Sequence, residues 1–246
     1  MQHIIRTVTL AILASAITAG CNNDPSSPSS PTSLAALKKA GAGSPSFPGA
    51  DAFVKEVTNP YLSFERGKVF RYESETDEGI ETTVDEVTNL KKTVMGVDVT
   101  VVHDQVFLND DLIEDTFDWY AQDKDGNVWY FGEDTKTLDH GQLVTTFGSW
   151  EAGISGNPGL VMPANPTRGT QYQQEDAPGI AEDMAKIKSL DASVDVPYGA
   201  FDGCVQTTEW TPLEPGVREY KFYKAGVGLV LETGKGGERV ELTEIE

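Results

Sequence analysis

The sequence is poor in the side chains that enzymes most often use as nucleophiles and bases. It has two cysteines and three histidines among 246 residues, and neither a G-x-S-x-G nor an H-E-x-x-H motif occurs. His103 stands next to Asp104, but neighbours along a strand point to opposite faces of a sheet, so we do not expect these two to form a dyad. The sequence therefore does not predict an enzyme, although catalysis by carboxyl groups remains open.

The scarcity of cysteine also excludes a disulfide framework. Cys204 is the only thiol after residue 21, and its strand-like surroundings, "GAFDGCVQTTEW", are typical of a buried and unreactive cysteine. The chain from 51 to 246 is long enough to bury a core without disulfides, and we expect it to form a single domain.

Basic residues are scarce as well. The chain has 19 Lys and Arg against 39 Asp and Glu, which gives a net charge of −20. Such a surface repels nucleic acids and anionic lipid headgroups, so DNA, RNA and peripheral binding to acidic membranes are excluded as expected functions. An acidic surface favours solubility, cationic partners or divalent ions.

The first twenty residues, "MQHIIRTVTLAILASAITAG", predict an export signal. Arg6 precedes an apolar segment that is too short to span a bilayer. The following "TAGC" resembles a bacterial lipoprotein processing site, with Thr18 in place of the usual Leu. We therefore expect Cys21 to carry the lipid, including an acyl chain such as palmitate. An ordinary cleaved signal followed by a chance cysteine is the alternative.

A tether is predicted after the lipid. Residues 21–50 are rich in Pro, Ser and Gly, and such a segment stays extended and solvated. Asn22 is not the Asp that favours retention in the inner membrane of enteric bacteria. We expect a location in the cell envelope, on the periplasmic face of the outer membrane or at the cell surface.

The pattern from residue 67 onward predicts a mainly β fold. Alternating segments of strand length are separated by short turns rich in Gly, Asn and Asp, as in an antiparallel meander. The expected architecture is a curved antiparallel sheet, a half-barrel or open barrel, with one or two short covering helices. The clearest predicted helix is "AEDMAKIKSL" at 181–190, after a long connection at 151–180. The predicted strands span 67–76, 80–94, 97–108, 112–122, 127–134, 142–150, 192–210, 217–234 and 238–246.

The segment "WYAQDKDGNVWYFGEDT" at 119–135 predicts a hairpin with large rings on both faces of the sheet. Tyr120 should share one face with Val128 and Tyr130. Something must cover both faces, and a covered gap beside the tyrosines would form an apolar cleft. A fully packed core is the alternative. The candidate ligand-binding residues are Tyr120, Val128, Tyr130, Trp119, Trp129 and Phe131.

One acidic cluster is a candidate metal site. Hard cations such as calcium need several oxygen ligands close together, and the predicted ligands are Asp111, Glu114, Asp115 and Asp118. The nearby "DKDGN" has its glycine in the wrong position for a calcium loop, and a turn explains it better.

Two further segments carry a resemblance to a family. "NPYLSFERGKVFRY" resembles the opening, and "YKFYKAGVGLV" the closing strand, of a family of exported bacterial proteins of unknown function. "DWYAQDKDGNVWYFGEDT" is similar to the same family. This resemblance implies a fold but no catalytic residues. The order of elements is also similar to periplasmic half-barrel carriers of lipids and lipoproteins, which implies an apolar concave face.

The sequence predicts a lipid-anchored envelope protein that binds an apolar small molecule or an envelope protein partner. Two alternatives remain open. One is an Asp/Glu-dependent hydrolase that acts on envelope glycan or lipid, since exposed Trp and paired acids can serve a sugar. The other is an acidic structural lipoprotein that binds a divalent cation. No cofactor is expected apart from calcium in this second alternative.

Overall fold

The structure, a computed structural model, describes residues 46–234 and 236–246. The signal, most of the tether and Cys21 lie outside these residues. The strands are β1 Val57–Asn59, β2 Leu62–Phe64, β3 Val69–Thr76, β4 Gly79–Val87, β5 Lys92–Val94, β6 Val97–Leu108, β7 Asp111–Gln122, β8 Val128–Asp139, β9 Gln142–Thr145, β10 Trp150–Glu151, β11 Gly159–Met162, β12 Gln171–Gln173, β13 Met184–Val196, β14 Gly199–Trp210, β15 Tyr220–Lys224, β16 Gly228–Thr233 and β17 Arg239–Ile245.

The predicted antiparallel, mainly β architecture is confirmed. A large sheet runs in the order β10-β8-β7-β6-β4-β3-β17-β16-β15-β14-β13-β12, with β5, β9 and β11 paired beside this path. It therefore consists of two meanders, β3 to β8 and β12 to β16, that are joined by β17 between β3 and β16. A separate hairpin of β1 and β2 completes the strands.

The predicted helix at 181–190 is wrong, because most of this segment belongs to β13. Ala185 and Ile187 are fully buried, while Lys186 and Lys188 between and after them are exposed. This is the two-residue period of a strand, which a short Ala- and Lys-rich segment also satisfies. β13 gains pairing along β14 from Met184 to Val196, and that pairing outweighs a modest helix propensity.

Covering helices are likewise missing from the described part of the chain. Its only helical element is the single 3-10 turn Ala50–Ala52. The connection predicted at 151–180 contains the short strands β11 and β12. Within residues 46–234 and 236–246, no helix has the length and apolar character that crossing a membrane requires.

The curved sheet brings its two margins together without closing them by a ladder. Asn157, just before β11, forms an isolated antiparallel bridge with Asp176, just after β12. Gly159 makes this approach possible, because a Cβ at this position would lie 1.8 Å from the Gln174 carbonyl oxygen. Any larger residue at 159 would push the margins apart.

The core lies inside this open barrel. In β3, Phe70, Tyr72 and Ser74 are buried and alternate with more exposed residues, as the sequence predicts. One part of the interior is capped by the β1–β2 hairpin, where the Asn59 amide donates to the Gly126 carbonyl and Gly226 N–H donates to the Pro60 carbonyl. The cap fixes the loops next to β8 and β16.

Candidate functional site

The β7–β8 hairpin has the two faces that its sequence predicts. Tyr120 pairs with Tyr130, and Ala121 pairs with Trp129. Cross-strand partners lie on the same face, so both tyrosines face into the barrel and Trp129 faces outward. The turn between the strands is fixed by Asp123, whose carboxylate accepts hydrogen bonds from the backbone N–H groups of Asp125 and Asn127.

The outer face of the hairpin is closed by the segment that precedes β1. The Phe53 ring lies 6.3 Å from Trp129 and 5.4 Å from Phe131, and Phe47 packs edge-on against the same two rings. The Trp129 indole N–H donates to Asp123 at 2.8 Å. Trp129 and Phe131 are thus buried structural residues.

The inner face is also closed, by rings that the sequence did not place there. Phe64 of β2 lies 4.6 Å from the Tyr120 ring, and Trp150 of β10 lies 5.7 Å from the Tyr130 ring. Both tyrosines and Val128 are at most 2% exposed. The protein's own side chains therefore occupy the space beside the tyrosines in which the apolar cleft is predicted.

Trp119 lies on the outer face but is covered differently. The Lys92 ammonium sits 3.7 Å from the centre of its ring and forms an ion pair with Glu151 at 2.8 Å. This arrangement is a cation–π contact. The six predicted ligand-binding residues therefore divide between two separate surfaces of one hairpin.

The four carboxyls predicted to bind a metal are not brought together. Glu114 and Asp118 are buried inside the barrel, Asp115 is on the outer face, and Asp111 is exposed at the start of β7. Neighbouring positions of one strand cannot converge on a single ion from opposite faces. In the described ranges, no group of three or more Asp, Glu, His or Cys side chains is placed to hold a metal.

Asp115 instead pairs with His103 across β6 and β7. The imidazole Nε2 lies 2.7 Å from the carboxylate, and its ring stacks on Phe117 at 4.2 Å. Partial burial raises the pKa of Asp115, but contacts with His103 and Lys136 outweigh this effect and leave it below its usual value. The sequence predicts no pair of His103 with Asp104, and it does not reveal this cross-strand partner.

The main feature that the sequence did not reveal is a set of buried acids inside the barrel. We call this set the carboxyl belt: Glu81, Asp85, Asp104, Glu114, Asp118, Glu133, Glu175, Asp183, Glu209 and Glu232. Ladder pairs such as Asp85 with Asp104, and Asp118 with Glu133, place carboxyls side by side. Acids are rarely buried in such numbers, because burying a carboxylate costs free energy unless it is paired or keeps its proton.

Burial makes many of these carboxyls hold their protons. It raises the pKa of Asp85 to about 7, although the charge of Lys221 and the neighbouring Asp104 carboxyl act in the opposite direction. Burial likewise raises the pKa of Glu81 to about 8, with Glu238 and Glu114 adding to the effect. Carboxyl groups that share a dry space cannot all ionise, so the carboxyl belt is only partly charged at neutral pH.

Lys221 is the buried cation of the barrel, and no other Lys or Arg among the described residues is classed as buried. Its ammonium lies 3.4 Å from Glu209 and 3.5 Å from Glu232. Burial alone would lower the pKa of Lys221, but the charges of Glu232 and Glu209 raise it well above its usual value. One ammonium therefore stands among many acids.

The carboxyl belt reaches solvent at a cleft between β14, β15 and the segment 211–219 that connects them. The cleft walls include Asp183, Glu209, Trp210, Glu219 and Lys221. It has about 330 Å³ of empty space, including space open to solvent, and its enclosed part is about the size of one water molecule. A ligand can therefore insert only a small group at the bottom of the cleft.

Asp183 is the notable wall residue. It is 5% exposed, and its Oδ1 has no hydrogen-bond partner among the described residues, although its carboxyl receives a hydrogen bond from Thr211. Burial raises its pKa to about 7. Buried polar atoms are nearly always satisfied, so this oxygen is an acceptor available to water or a ligand.

The chain matches no family model and no curated protein. Two solved structures are similar. One, from Bacteroides fragilis, is described as exported with a YmcC-like fold; it has 15% identity and a TM-score of 0.46, covering 77% of this chain and 100% of its own. The other, from Parabacteroides distasonis, is described as a lipoprotein; it has 12% identity and a TM-score of 0.41, covering 76% and 99%. Neither description names a ligand or a reaction.

Proposed function

We propose that the protein is a lipid-anchored protein of the cell envelope that binds a small molecule in the cleft between β14 and β15. The observation that carries this proposal is the unsatisfied Oδ1 of buried Asp183 in a cleft that opens to solvent. Trp210 adds a half-buried ring to the same wall. A few convergent polar groups beside an aromatic wall are common in small-molecule sites.

The position of this cleft changes the expected ligand. The tyrosine face of the hairpin is filled by Phe64 and Trp150, whereas the cleft at Lys221 is lined by carboxyls. A ligand that is wholly apolar would leave these carboxyls without water or a hydrogen-bond donor, at a cost of about 1–3 kcal/mol for each unsatisfied group. We therefore propose a polar ligand in place of the apolar ligand that the sequence predicts.

Catalysis by carboxyls is less well supported than binding. A glycoside hydrolase needs two acids that flank the scissile bond, but the enclosed part of the cleft beside Asp183 and Glu209 admits a group no larger than about one water molecule. Docking to an envelope protein remains an alternative proposal. It would act through exposed apolar side chains at or near β9: Leu143, Val144 and Phe147.

Native mass spectrometry of the purified full-length protein tests the proposal. We expect a bound small-molecule mass on the wild type and its loss in Val217→Trp, because Val217 lines the cleft and a larger ring would fill it. Val144→Trp is the matched control, since Val144 is 55% exposed on β9, and it should keep the bound mass. A wild type without bound mass, or Val217→Trp that retains it, would contradict the proposal.

The anchor is tested separately by cell fractionation. Cys21→Ser should move the protein from the membrane to the soluble fraction, because one lipidated cysteine supplies the attachment. Cys204→Ser is the control and should stay with the membrane, since Cys204 is fully buried in β14. Membrane retention of Cys21→Ser would count against the lipid anchor without affecting the cleft.

A further inference from the structure

The cleft carries more negative than positive groups. Asp183, Glu209 and Glu219 line it together with a single buried cation, Lys221. Glu209 of β14 and Glu219, just before β15, form an isolated antiparallel bridge, so their side chains emerge side by side. An anionic ligand would meet repulsion here, whereas a cation would be attracted in a medium where charges interact more strongly than in water.

Lys221 shows which cationic group this interior accommodates. Its ammonium is held by Glu209 and Glu232 at distances above 3 Å, which are long for strong charge-assisted hydrogen bonds. Glu209 Oε1 also accepts a hydrogen bond from Thr207. The carboxylates therefore have acceptor capacity left beside an ammonium that is already in place.

The size of the cleft restricts the guest further. Its enclosed part is about the size of one water molecule, and a primary ammonium is a compact group with three donors. A quaternary ammonium carries methyl groups that this space cannot hold. A bare metal ion is disfavoured for a different reason, because no three ligating side chains of the described residues converge closely enough.

We infer that the cleft binds the terminal primary ammonium group of a small amine, with one N–H donated to Oδ1 of Asp183. This inference rests on the proposed function. Glu219 and Glu209 complete the negative surroundings, and the rest of the ligand lies toward the open mouth beside Trp210. The Arg218 guanidinium already lies 5.1 Å from the Trp210 ring, so this ring accepts a cationic neighbour.

Binding of an ammonium should release protons from the cleft. Burial raises the pKa of Asp183 to about 7 and that of Glu219 to about 8, with further contributions from neighbouring charges. The polar and charged groups that interact with Asp183 are Thr211, Lys221, Glu209, Glu214, Glu175, Glu219 and Glu133. A bound cation favours the ionised carboxyls, so amine affinity should rise between pH 6 and about pH 8.

Calorimetric titration of the full-length protein with probes that share a four-carbon chain tests the inference. Butylamine should bind, whereas 1-butanol, butyrate and butyltrimethylammonium should bind at least tenfold more weakly. Repeating the butylamine titration in buffers of different ionisation enthalpy should show proton release at pH 7. Calcium is included as a separate probe; binding of calcium in place of butylamine would overturn the inference.

Variants locate the site. Asp183→Asn should weaken butylamine binding at least tenfold, while Asp77→Asn, an exposed acid in the β3–β4 turn, removes the same charge and should have no effect. If Asp183→Asn fails to fold by circular dichroism, Glu219→Gln at the partly exposed rim replaces it, with a smaller expected loss. Unchanged affinity in a folded cleft variant would overturn the inference.

The two proposals fail in distinguishable ways. If butylamine does not bind but native mass spectrometry shows a neutral or anionic mass that Val217→Trp removes, the small-molecule site stands and the amine is wrong. If the wild type carries no mass and none of the probes binds, both proposals are overturned.

Discussion

The two faces of the β7–β8 hairpin differ in the interactions that stabilise them. Outward, Trp129 and Phe131 pack against Phe47 and Phe53 in an aromatic layer. On the inner face, Tyr120 contacts Tyr130, and the buried acids Glu114 and Asp118 lie a few residues earlier on the same strand. The outer layer is stabilised by removing apolar surface from water, whereas the inner layer depends on protons and hydrogen bonds.

This difference concentrates pH sensitivity inside the barrel. Asp118 lies beside Glu133 in the ladder and accepts a hydrogen bond from the Tyr130 hydroxyl. Burial raises its pKa well above the usual range despite that hydrogen bond. On the outer face, contacts with His103 and Lys136 lower the pKa of Asp115. The pKa values of two Asp residues are thus shifted in opposite directions on the two sides of one strand.

Trp129→Ala, which removes a ring from the outer face, should have the largest effect on the free energy of unfolding. The indole is 1% exposed and loses its ring contacts and its hydrogen bond to Asp123, so we expect the free energy of unfolding to fall by about 3–5 kcal/mol. Urea denaturation followed by circular dichroism measures it. Leu143→Ala is the control, because Leu143 is 59% exposed and should change stability by less than about 0.5 kcal/mol. A loss below about 1 kcal/mol for Trp129→Ala would refute the packed outer layer.

Asp85→Asn should change how the stability of the inner face depends on pH. Because the folded pKa of Asp85 is about 7 and the unfolded value is about 3.9, the folded state keeps a proton that the unfolded state loses. The free energy of unfolding should therefore fall as pH rises from about 4 to about 7. Asn cannot ionise, so the variant should be more stable than the wild type at pH 8, and its pH profile should be flatter.

Urea denaturation at several pH values measures this difference. Asp77→Asn is the control and should leave the profile unchanged. Asp115, whose pKa is lowered, contributes in the opposite sense, and its stabilisation is lost only as pH falls below about 4. A wild type whose stability rises steadily from pH 5 to pH 8 would contradict the protonated carboxyl belt.

Tyr130→Phe should have the smallest effect. It keeps the ring against Tyr120 and Trp150 but removes the hydroxyl that donates to Asp118. We expect the free energy of unfolding to fall by about 1 kcal/mol, because a buried hydrogen bond is lost. Tyr198→Phe is the control, since Tyr198 is 44% exposed. A loss no larger than that of the control would show that the hydrogen bond from Tyr130 to Asp118 does not stabilise the fold.

Strand positions and hairpin faces could be predicted from the sequence because they follow from short-range periodicity. The strand predicted at 97–108 coincides with β6, and the opposite directions of Tyr130 and Trp129 follow from alternation. Long-range partners could not be predicted. No local pattern indicates that Phe64 from β2 and Trp150 from β10 would cover the tyrosines, since these contacts depend on how the sheet curves.

The carboxyl belt could not be predicted from the sequence for a more specific reason. In β4, Glu81 and Asp85 alternate with Ile80 and Val84, a pattern that ordinarily places the acids in water and the aliphatic side chains inside. The structure has the reverse, with Ile80 46% exposed and Asp85 1% exposed. Alternation reveals that two faces differ, but it does not say which one is buried when an interior is polar.

The position of β17 has a consequence for how the chain can fold. This strand, Arg239–Ile245, pairs with β3 on one side and β16 on the other, so among the ladders of the described residues it joins the two meanders, and it is synthesised after both of them. Until it arrives, β3 and β16 each present an open edge of the kind that recruits other chains into aggregates. The acidic charge of the nascent protein would keep such half-built sheets apart during that interval.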